Sequence, residues 1–186
     1  MITFDRRKKD ILSKKDKSSI GDVDPRIKEL CDKINADNRY YTTSSCSGRI
    51  VLIRYSVDKK SGLFLFRTHE KISFEELKEK LESVKEKDLI IFKQEPCILA
   101  IACRSLEAAT ELLHKAREKS GWKESGIMNI GKRIMVELRS TEKLAQPIMD
   151  KSKILVDDDF IKILVKESNK RLERTWKKIE NLVKII

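Results

Sequence analysis

The spacing of apolar and polar residues predicts a series of paired strands. A half-buried strand is predicted from RIVLIRYSV, which begins at Arg49, because apolar and polar side chains alternate there. A turn over residues 59–62 leads to LFLFRTHE, so these two segments are expected to form a hairpin. Two further strands are predicted from LIIFKQE and CILAIACR, on either side of Pro96, and another pair from ESGIMNIG and RIMVELRS, which turns at Gly131-Lys132.

Helices are predicted where apolar residues recur every three or four positions behind a capping residue. Asp24 caps the first of them, and Pro25 occupies its first position. Ser73 opens a second helix as a capping box with Glu76, and Ser105 caps a third. The order of elements indicates an α+β fold with a mixed, mostly antiparallel sheet and packed helices. Two successive units of strands, helix and strands indicate a duplicated unit, although the sequence shows no clear repeat.

The last predicted element is a long basic helix from about Asp158 onward. Its apolar stripe consists of Ile161, Val165, Leu172, Trp176, Ile179, Val183 and Ile186. We assign this stripe to packing, and the opposite basic face is available to RNA backbone. The more irregular stretch from Leu144 to Asp157 is the expected boundary between a catalytic and RNA-binding body, residues 1–150, and a C-terminal helical arm, residues 151–186, packed on the same domain.

Positive charge is concentrated at the two ends of the chain. The net charge is +11, from 41 basic and 30 acidic residues. Residues 1–20 and residues 159–186 carry +4 each, and everything between them carries +3. Two basic ends around a nearly balanced middle suit a polyanion such as RNA, although charge enrichment is also found in heat-adapted proteins.

Other compositional features limit the class of protein. No apolar run approaches membrane-spanning length, and the first ten residues carry charge where a signal peptide has its apolar region, so we expect a cytoplasmic protein without a membrane partner. The four cysteines, Cys31, Cys46, Cys97 and Cys103, form no C-x-x-C pair. We therefore expect neither a metal site nor a disulfide framework.

A run of small hydroxyl and thiol side chains stands out between Tyr40 and Arg49. It reads YYTTSSCSGR, and we predict a loop there. Exposed backbone N–H groups, hydroxyls and the arginine fork can all donate to a phosphate or a carboxylate. The plainer interpretation is a loop whose hydroxyls bind its own backbone.

Few other residues suggest chemistry. The glycine-rich motifs of common nucleotide sites do not occur. Cys46 is followed six residues later by Leu52 where a phosphatase-type loop has arginine, so a packed thiol is favoured over a nucleophile. His69 ends a predicted strand and is either a proton acceptor or a structural residue. Glu95 is either a base or an ion-pair partner, and His114 is expected at the surface.

Taken together, these motifs resemble one family, the SAM-dependent methyltransferases that act on phenylalanine tRNA in wybutosine biosynthesis. The segment TTSSCSGRI, from Thr42 to Ile50, is similar to the family's signature. The other similar segments follow in the family's order over nearly the whole chain: 16–18, 21–24, 68–69, 92–96, 121–127 and 138–141. The chain departs from the family at Gln94 in place of an aromatic residue, Ala100 in place of a histidine, and Glu142-Lys143 in place of a His-Gly pair.

The resemblance implies a reaction. The methyl group of S-adenosyl-L-methionine (SAM) goes to a ring nitrogen of the tricyclic base derived from the guanosine just 3′ of the anticodon. The precursor base already carries an aminocarboxypropyl group. Such an in-line displacement needs nitrogen, methyl carbon and sulfur in a row and an acceptor for one proton, and it needs no metal.

The resemblance also implies the residues of the site. His69 or Glu95 is expected to accept the proton. The residues expected to hold the cofactor SAM are Ser44, Ser45, Ser47, Gly48, Arg49, Ser125 and Gly126. The residues expected to contact the tRNA are Asp24, Lys93, Arg139, Ser140 and Thr141.

Two other functions stay open from the residues alone. A non-enzymatic module that binds structured RNA would show salt-dependent RNA binding without affinity for SAM. A thiol-dependent hydrolase built on Cys46 would lose its activity on alkylation. The sequence leaves the oligomeric state undetermined.

Overall fold

The computed structural model describes residues 3–13, 24–55 and 62–186. Within those ranges the helices are α1 (Phe4–Leu12), α2 (Pro25–Ala36), α3 (Phe74–Ser83), α4 (Leu106–His114), continued by a π-helical turn (Lys115–Lys119), and α5 (Asp158–Val183). The strands are β1 (Tyr40–Cys46), β2 (Arg49–Arg54), β3 (Phe64–Thr68), β4 (Ile90–Glu95), β5 (Ile98–Cys103), β6 (Gly126–Ile130), β7 (Ile134–Arg139), β8 (Leu144–Asp150) and β9 (Lys153–Ile154). The α+β class is confirmed, and every strand pairing in the described ranges is antiparallel.

The chain forms two compact units. The first unit comprises Met1–Ser47, Cys97–Thr141 and Thr175–Ile186, and the second comprises Gly48–Pro96 and Glu142–Arg174. The chain therefore passes from one unit to the other four times, and α5 belongs to both. The expected division into residues 1–150 and 151–186 stays a prediction.

The first unit contains a four-stranded sheet in the order β1-β5-β7-β6. Alternate residues of β5, Leu99 and Ile101, point into its core together with Val136 and Leu138 of β7. The helices of this unit contribute further buried side chains: Ile27, Leu30, Ile34, Ala108, Ala109, Leu112, Ile179 and Leu182. The opposite face of the sheet, which we call the outer face of the first sheet, carries the residues between these core positions.

The second unit contains a five-stranded sheet in the order β3-β2-β4-β8-β9. In β4 the side chains of Ile90, Phe92 and Gln94 are buried, whereas the residues between them are only half-buried. The first part of α5 is joined to the segment before α3, because Asn169 donates to the Ile72 carbonyl and accepts from the Ile72 N–H, at 2.8 and 3.1 Å. These bonds explain how a helix far along the sequence is held in this unit.

The predicted helix starts and hairpins are confirmed. Asp24, Ser73 and Ser105 each accept a hydrogen bond from a backbone N–H in the first turn of α2, α3 and α4. Strands β2 and β3 pair as predicted, and so do β6 and β7. The long helix also begins where it was predicted, at Asp158. The duplicated unit and the basic character of that helix stay predictions.

The prediction of a loop over Tyr40–Arg49 is wrong. Residues Tyr40–Cys46 form β1, which pairs with β5 from Tyr40 opposite Cys103 to Cys46 opposite Ile98. Tyrosine and the β-branched threonines are favoured in strands, so this run of hydroxyls suits a sheet. Only Ser47 and Gly48 separate β1 from β2, and Gly48 has φ +95°.

Three further elements were missed. The stretch from Leu144, expected to be irregular, forms β8, which pairs with β4, and the short strand β9. Pro147 argued against a strand there, because proline cannot donate to a ladder. The short helix α1 was not predicted either, and none of its residues is buried. The motif segments 16–18 and 21–23 lie outside the described residues.

Within the described ranges, none of the helices is both long enough and apolar enough to cross a membrane.

Candidate active site

The fold places the predicted site residues in two groups, one in each unit. The first-unit group contains Asp24, Ser44, Ser45, Ser47, Ser125, Gly126, Arg139, Ser140 and Thr141. The second-unit group contains Gly48, Arg49, His69, Lys93 and Glu95. We describe each group by itself.

Asp24 holds backbone groups in the first-unit group. Its Oδ1 atom accepts from the Arg26 N–H and its Oδ2 atom accepts from the Ser47 N–H, both at 3.1 Å. Asp24 is only 7% exposed, and Ser47 is fully buried. This carboxylate therefore fixes the end of β1 to the start of α2, and the Ser47 hydroxyl has no hydrogen-bond partner in the described ranges.

Ser125 and Ser140 are buried and also bind the backbone. The Ser125 hydroxyl donates to the Trp122 carbonyl at 2.6 Å and accepts from the Arg139 N–H at 2.9 Å. The Ser140 hydroxyl accepts from the Cys97 N–H at 3.2 Å. Both serines thus fix the ends of strands, which is a sufficient structural reason for their presence.

Ser44 and Gly126 lie on the outer face of the first sheet. Ser44 pairs with Ala100, Ala100 with Glu137, and Glu137 with Gly126, so these four residues form one row across the sheet. Directly paired residues of antiparallel strands share a face. A Cβ atom at residue 126 would meet nothing within 4 Å. Ala100 therefore places only a methyl group between Ser44 and Glu137, and Gly126 leaves open space on the other side of Glu137.

Arg139 lies in the next row of the same face. Its guanidinium binds the Glu137 carboxylate at 3.0 Å and is partly exposed. Its Nε atom is buried and has no hydrogen-bond partner in the part of the chain that the structure describes. A buried donor without an acceptor is costly, so an anion at this position would be stabilised. Thr141, close by in sequence, accepts from the Lys178 ammonium at 3.0 Å.

Ser45 faces the other way, towards the core. Its hydroxyl is a hydrogen-bond partner of the Cys31 thiol. The burial of Cys31 raises the pKa of that thiol to about 11, and burial raises the pKa of Cys103 to about 12. Burial also raises the pKa of Cys97. These three thiols are therefore protonated at neutral pH and inert as nucleophiles.

Charged side chains meet in the second-unit group. The Arg49 Nε atom donates to the Glu95 carboxylate at 2.5 Å, and both side chains are about one quarter to one third exposed, at 26% and 30%. The Arg49 guanidinium also lies 5.1 Å from the centre of the Phe64 ring. Glu95 is therefore an ion-pair partner, one of the two roles that its sequence position suggested.

Further cations lie on the same face of the second sheet. Arg67 and Lys93 both pair with Val51, which is two residues from Arg49, so all three cations project to one side. The Arg67 guanidinium lies 5.5 Å from the Phe64 ring centre, and Phe64 is 46% exposed. We call this set, Arg49, Phe64, Arg67, Lys93 and Glu95, the cationic face.

His69 is held by a backbone carbonyl. Its Nδ1 atom lies 3.1 Å from the carbonyl oxygen of Gly48. A carbonyl oxygen only accepts, so Nδ1 carries a hydrogen and the neutral ring has its lone pair on Nε2. The positive φ of Gly48, +95°, is rarely adopted by other residues, so the glycine sets the direction of this carbonyl.

Sequence reasoning missed three residues of these surfaces. Glu137, Phe64 and Arg67 take part in the contacts above, yet none belongs to the predicted site. The strand alternation contained a signal for Glu137 alone. Phe64 and Arg67 are three residues apart and share a face only through the register shift between Leu52 and Ile53. In the described ranges, no cluster of three His, Cys, Asp or Glu side chains is arranged to hold a metal ion.

The chain was compared with known protein families. Residues 6–186 match the family described as Methyltransferase TYW3. The match therefore includes both groups of site residues.

Individual relatives agree with this match. A tRNA wybutosine-synthesizing protein 3 homolog from Danio rerio is 37% identical over 185 residues, which cover 96% of this chain and 72% of the relative. A tRNA(Phe) 7-((3-amino-3-carboxypropyl)-4-demethylwyosine(37)-N(4))-methyltransferase from Methanocaldococcus jannaschii is 39% identical over 158 residues, 83% of this chain and 81% of the relative. Among solved structures, the PH1069 protein from Pyrococcus horikoshii superposes with a TM-score of 0.87 at 29% identity, over 98% of this chain and 95% of that one.

Proposed function

Because the chain belongs to the Methyltransferase TYW3 family, we propose that it methylates N4 of aminocarboxypropyl-demethylwyosine at position 37 of phenylalanine tRNA. Family membership confirms the predicted resemblance and makes the chain a tRNA methyltransferase of wybutosine synthesis. The atom and the nucleotide are taken from the name of the archaeal relative. We place the reaction in the cytoplasm and at the anticodon loop.

We propose SAM as the methyl donor. Two features of the outer face of the first sheet fit SAM. The buried Nε atom of Arg139 has no acceptor among the described residues, and the space beside Gly126 is open. In this proposal Arg139 binds the carboxylate of the donor and Ser44 donates a hydroxyl. Bound SAM supplies an electrophilic methyl group.

The other predicted contacts take supporting roles in this proposal. Ser47 and Ser125 position the strand ends that carry Ser44 and Arg139, as their backbone hydrogen bonds indicate. Asp24 and Ser140 do the same through their bonds to Ser47 and Cys97. Direct contacts of these four side chains with SAM or tRNA remain predictions.

We propose His69 rather than Glu95 as the proton acceptor. The ring nitrogen that receives the methyl group must lose one proton. The hydrogen bond to Gly48 leaves the lone pair of neutral His69 on Nε2, which is the state that a general base needs. Glu95 is engaged by Arg49, so its carboxylate serves better to hold that guanidinium in place.

We propose that the cationic face contacts the RNA. Arg49, Arg67 and Lys93 offer positive charge to phosphates, and the exposed ring of Phe64 offers a stacking surface. One carboxylate, Glu95, pairs with Arg49 there. This role includes Lys93, which the resemblance implied as an RNA contact.

A direct assay tests the function. The protein is incubated with SAM and phenylalanine tRNA that carries the precursor base, and the nucleosides are analysed by mass spectrometry. We expect the precursor nucleoside to gain the mass of one methyl group. Isothermal titration with SAM provides the second measurement, with a Kd of about 1 µM to 1 mM expected for a cofactor. RNA binding without methyl transfer and without SAM binding would instead support the non-enzymatic module.

A further inference from the structure

A second cationic surface lies in the first unit, apart from the predicted site residues. It is a cleft of about 260 Å³, lined among others by Phe4, Arg7, Tyr41, Arg104, Lys132 and Arg133. We call it the basic groove. It is formed by the missed helix α1, by the end of β5 and by the turn between β6 and β7.

The groove has an aromatic floor and ordered arginine side chains. The rings of Phe4 and Tyr41 lie 5.0 Å apart, and Tyr41 is only 1% exposed. The Arg104 guanidinium lies 4.6 Å from the Phe4 ring centre and is fixed by Asp5 and by the Asn38 carbonyl. Ordered guanidinium groups lose little entropy when they bind an anion.

The turn between β6 and β7 forms the other side of the basic groove. Arg7 donates to the carbonyl of Lys132 at 3.3 Å, so α1 is tied directly to this turn. Lys132 and Arg133 are themselves exposed. Four cations, Arg7, Arg104, Lys132 and Arg133, thus surround the cleft. Among the described residues, the carboxylate that contacts them is that of Asp5, which forms an ion pair with Arg104. Such a site suits phosphate groups.

Within the first unit, the groove is far from Arg139, the residue proposed to bind the methyl donor. It lies at Ile134, the first residue of β7, whereas Arg139 is the last residue of the same strand. Five residues of strand correspond to about 17 Å. A single nucleotide held at Arg139 does not span this distance, so a ligand that contacts both must be a longer polyanion.

We propose that the basic groove binds backbone phosphates of the tRNA, at the opposite end of β7 from Arg139. This inference rests on the proposed function, because it takes the tRNA as the polyanion. The groove positions the RNA without reading its sequence, since phosphates carry no base identity. The groove thus gives a role to positive charge near the N-terminus of the chain, which is not part of the cationic face of the second unit.

The test compares two double variants. K132A/R133A removes two exposed cations of the groove, and R117A/K119A removes two exposed cations of the π-helical turn, outside the groove. Binding of phenylalanine tRNA is measured at several salt concentrations, together with SAM binding and methylation kinetics. All four side chains are exposed, so both variants are expected to fold.

The expected result is specific for the groove. K132A/R133A should reduce the slope of log affinity against log salt by about 1 to 2, as expected when one or two phosphate contacts are lost. The KM for tRNA should rise about tenfold or more, with kcat and SAM affinity unchanged. R117A/K119A should match the wild type.

Other outcomes would overturn the proposal. An unchanged slope and KM in K132A/R133A would exclude the groove as a phosphate site for tRNA, and so would an equal effect in both variants. Binding of inorganic phosphate is measured for the same proteins, and its loss in K132A/R133A with intact tRNA binding would assign the groove to a free anion instead. If the wild type binds tRNA but transfers no methyl group, the proposed function fails, whereas the difference in slope still decides about the groove.

Discussion

In the first unit three predicted polar side chains bind the backbone, whereas in the second unit two predicted side chains meet one another at a partly exposed surface. Asp24, Ser125 and Ser140 are buried and satisfy N–H groups at strand and helix ends. Arg49 and Glu95 form an ion pair beside an exposed ring. A run of polar residues in a sequence can therefore have either of two roles, and the burial of the side chains distinguishes them. Buried polar groups need hydrogen-bond partners within the protein, whereas partly exposed ones are available to a ligand.

The comparison has a practical consequence. Substitutions in the first-unit group should lower stability, and substitutions in the second-unit group should lower activity. The exceptions expected in the first unit are Ser44 and Arg139, which lie on the outer face of the sheet. Four experiments test this contrast, in order of decreasing effect.

The largest effect is expected for His69→Ala. Loss of a general base costs typically about 10²- to 10⁴-fold in rate, so methyl transfer at saturating tRNA and SAM should fall by this factor. Added imidazole should restore part of the rate. His114→Ala is the matched control, because His114 is exposed on α4. A wild-type rate in His69→Ala would remove this residue from the mechanism.

The next effect concerns stability. Asp24→Ala leaves two N–H groups without their acceptor, those of Arg26 and Ser47. Its free energy of unfolding should fall by about 2 to 3 kcal/mol, the sum expected for a lost cap and an orphaned buried donor. Urea denaturation measures it. Asp32→Ala, which removes an exposed pair with Lys28, should change stability by less than about 1 kcal/mol.

Three buried thiols with raised pKa values, those of Cys31, Cys97 and Cys103, give the first unit a dependence of stability on pH. Burial raises the pKa of Cys103 to about 12 from its ordinary value of 9.0. The unfolded chain thus releases this proton first, so stability is complete below pH 9 and falls as the pH rises towards 12.

Cys103→Ala should flatten this fall. Between pH 9 and 11 the variant should lose about 2 kcal/mol less stability than the wild type, because a shift of one pKa unit corresponds to about 1.4 kcal/mol. Urea midpoints at several pH values measure the difference. Parallel curves for the two proteins would show that this thiol does not titrate differently in the folded state.

The smallest change in stability is expected in the second unit. Arg49→Ala removes a partly exposed ion pair, so the free energy of unfolding should change by less than about 1 kcal/mol. The KM for SAM or for tRNA should nevertheless rise. Arg54→Ala is the control, because it removes a similar pair with Glu86 in the same unit. Normal binding and turnover in Arg49→Ala would disprove its predicted role.

Much of the fold follows from local patterns. Asp24, Ser73 and Ser105 were recognised as helix caps because a cap depends only on the neighbouring turn. Strand β1 was misjudged because its serines and threonines suit both loops and strands, and only its pairing with β5 decides between them. Strand β8 was missed for a related reason. Whether Pro147 lies in a sheet depends on partners that are distant in sequence.

The candidate site was less predictable than the fold. The sequence suggested both Arg49 and Glu95 as residues of the site. It could not indicate that they form an ion pair, because they are 46 residues apart. It could not show that Ser45 faces the core while Ser44 faces outward, because an irregularity between Thr42 and Ser44 shifts the register of β1. Long-range pairing settles both questions.

The bond between His69 and Gly48 makes the chemistry of one residue dependent on the backbone of another. A methyl group added at residue 48, as in Gly48→Ala, disfavours the left-handed backbone there by roughly 1 to 2 kcal/mol. The carbonyl would turn away, and the imidazole would no longer be confined to one tautomer. Gly48 therefore constrains the orientation of the imidazole, although it has no side chain of its own.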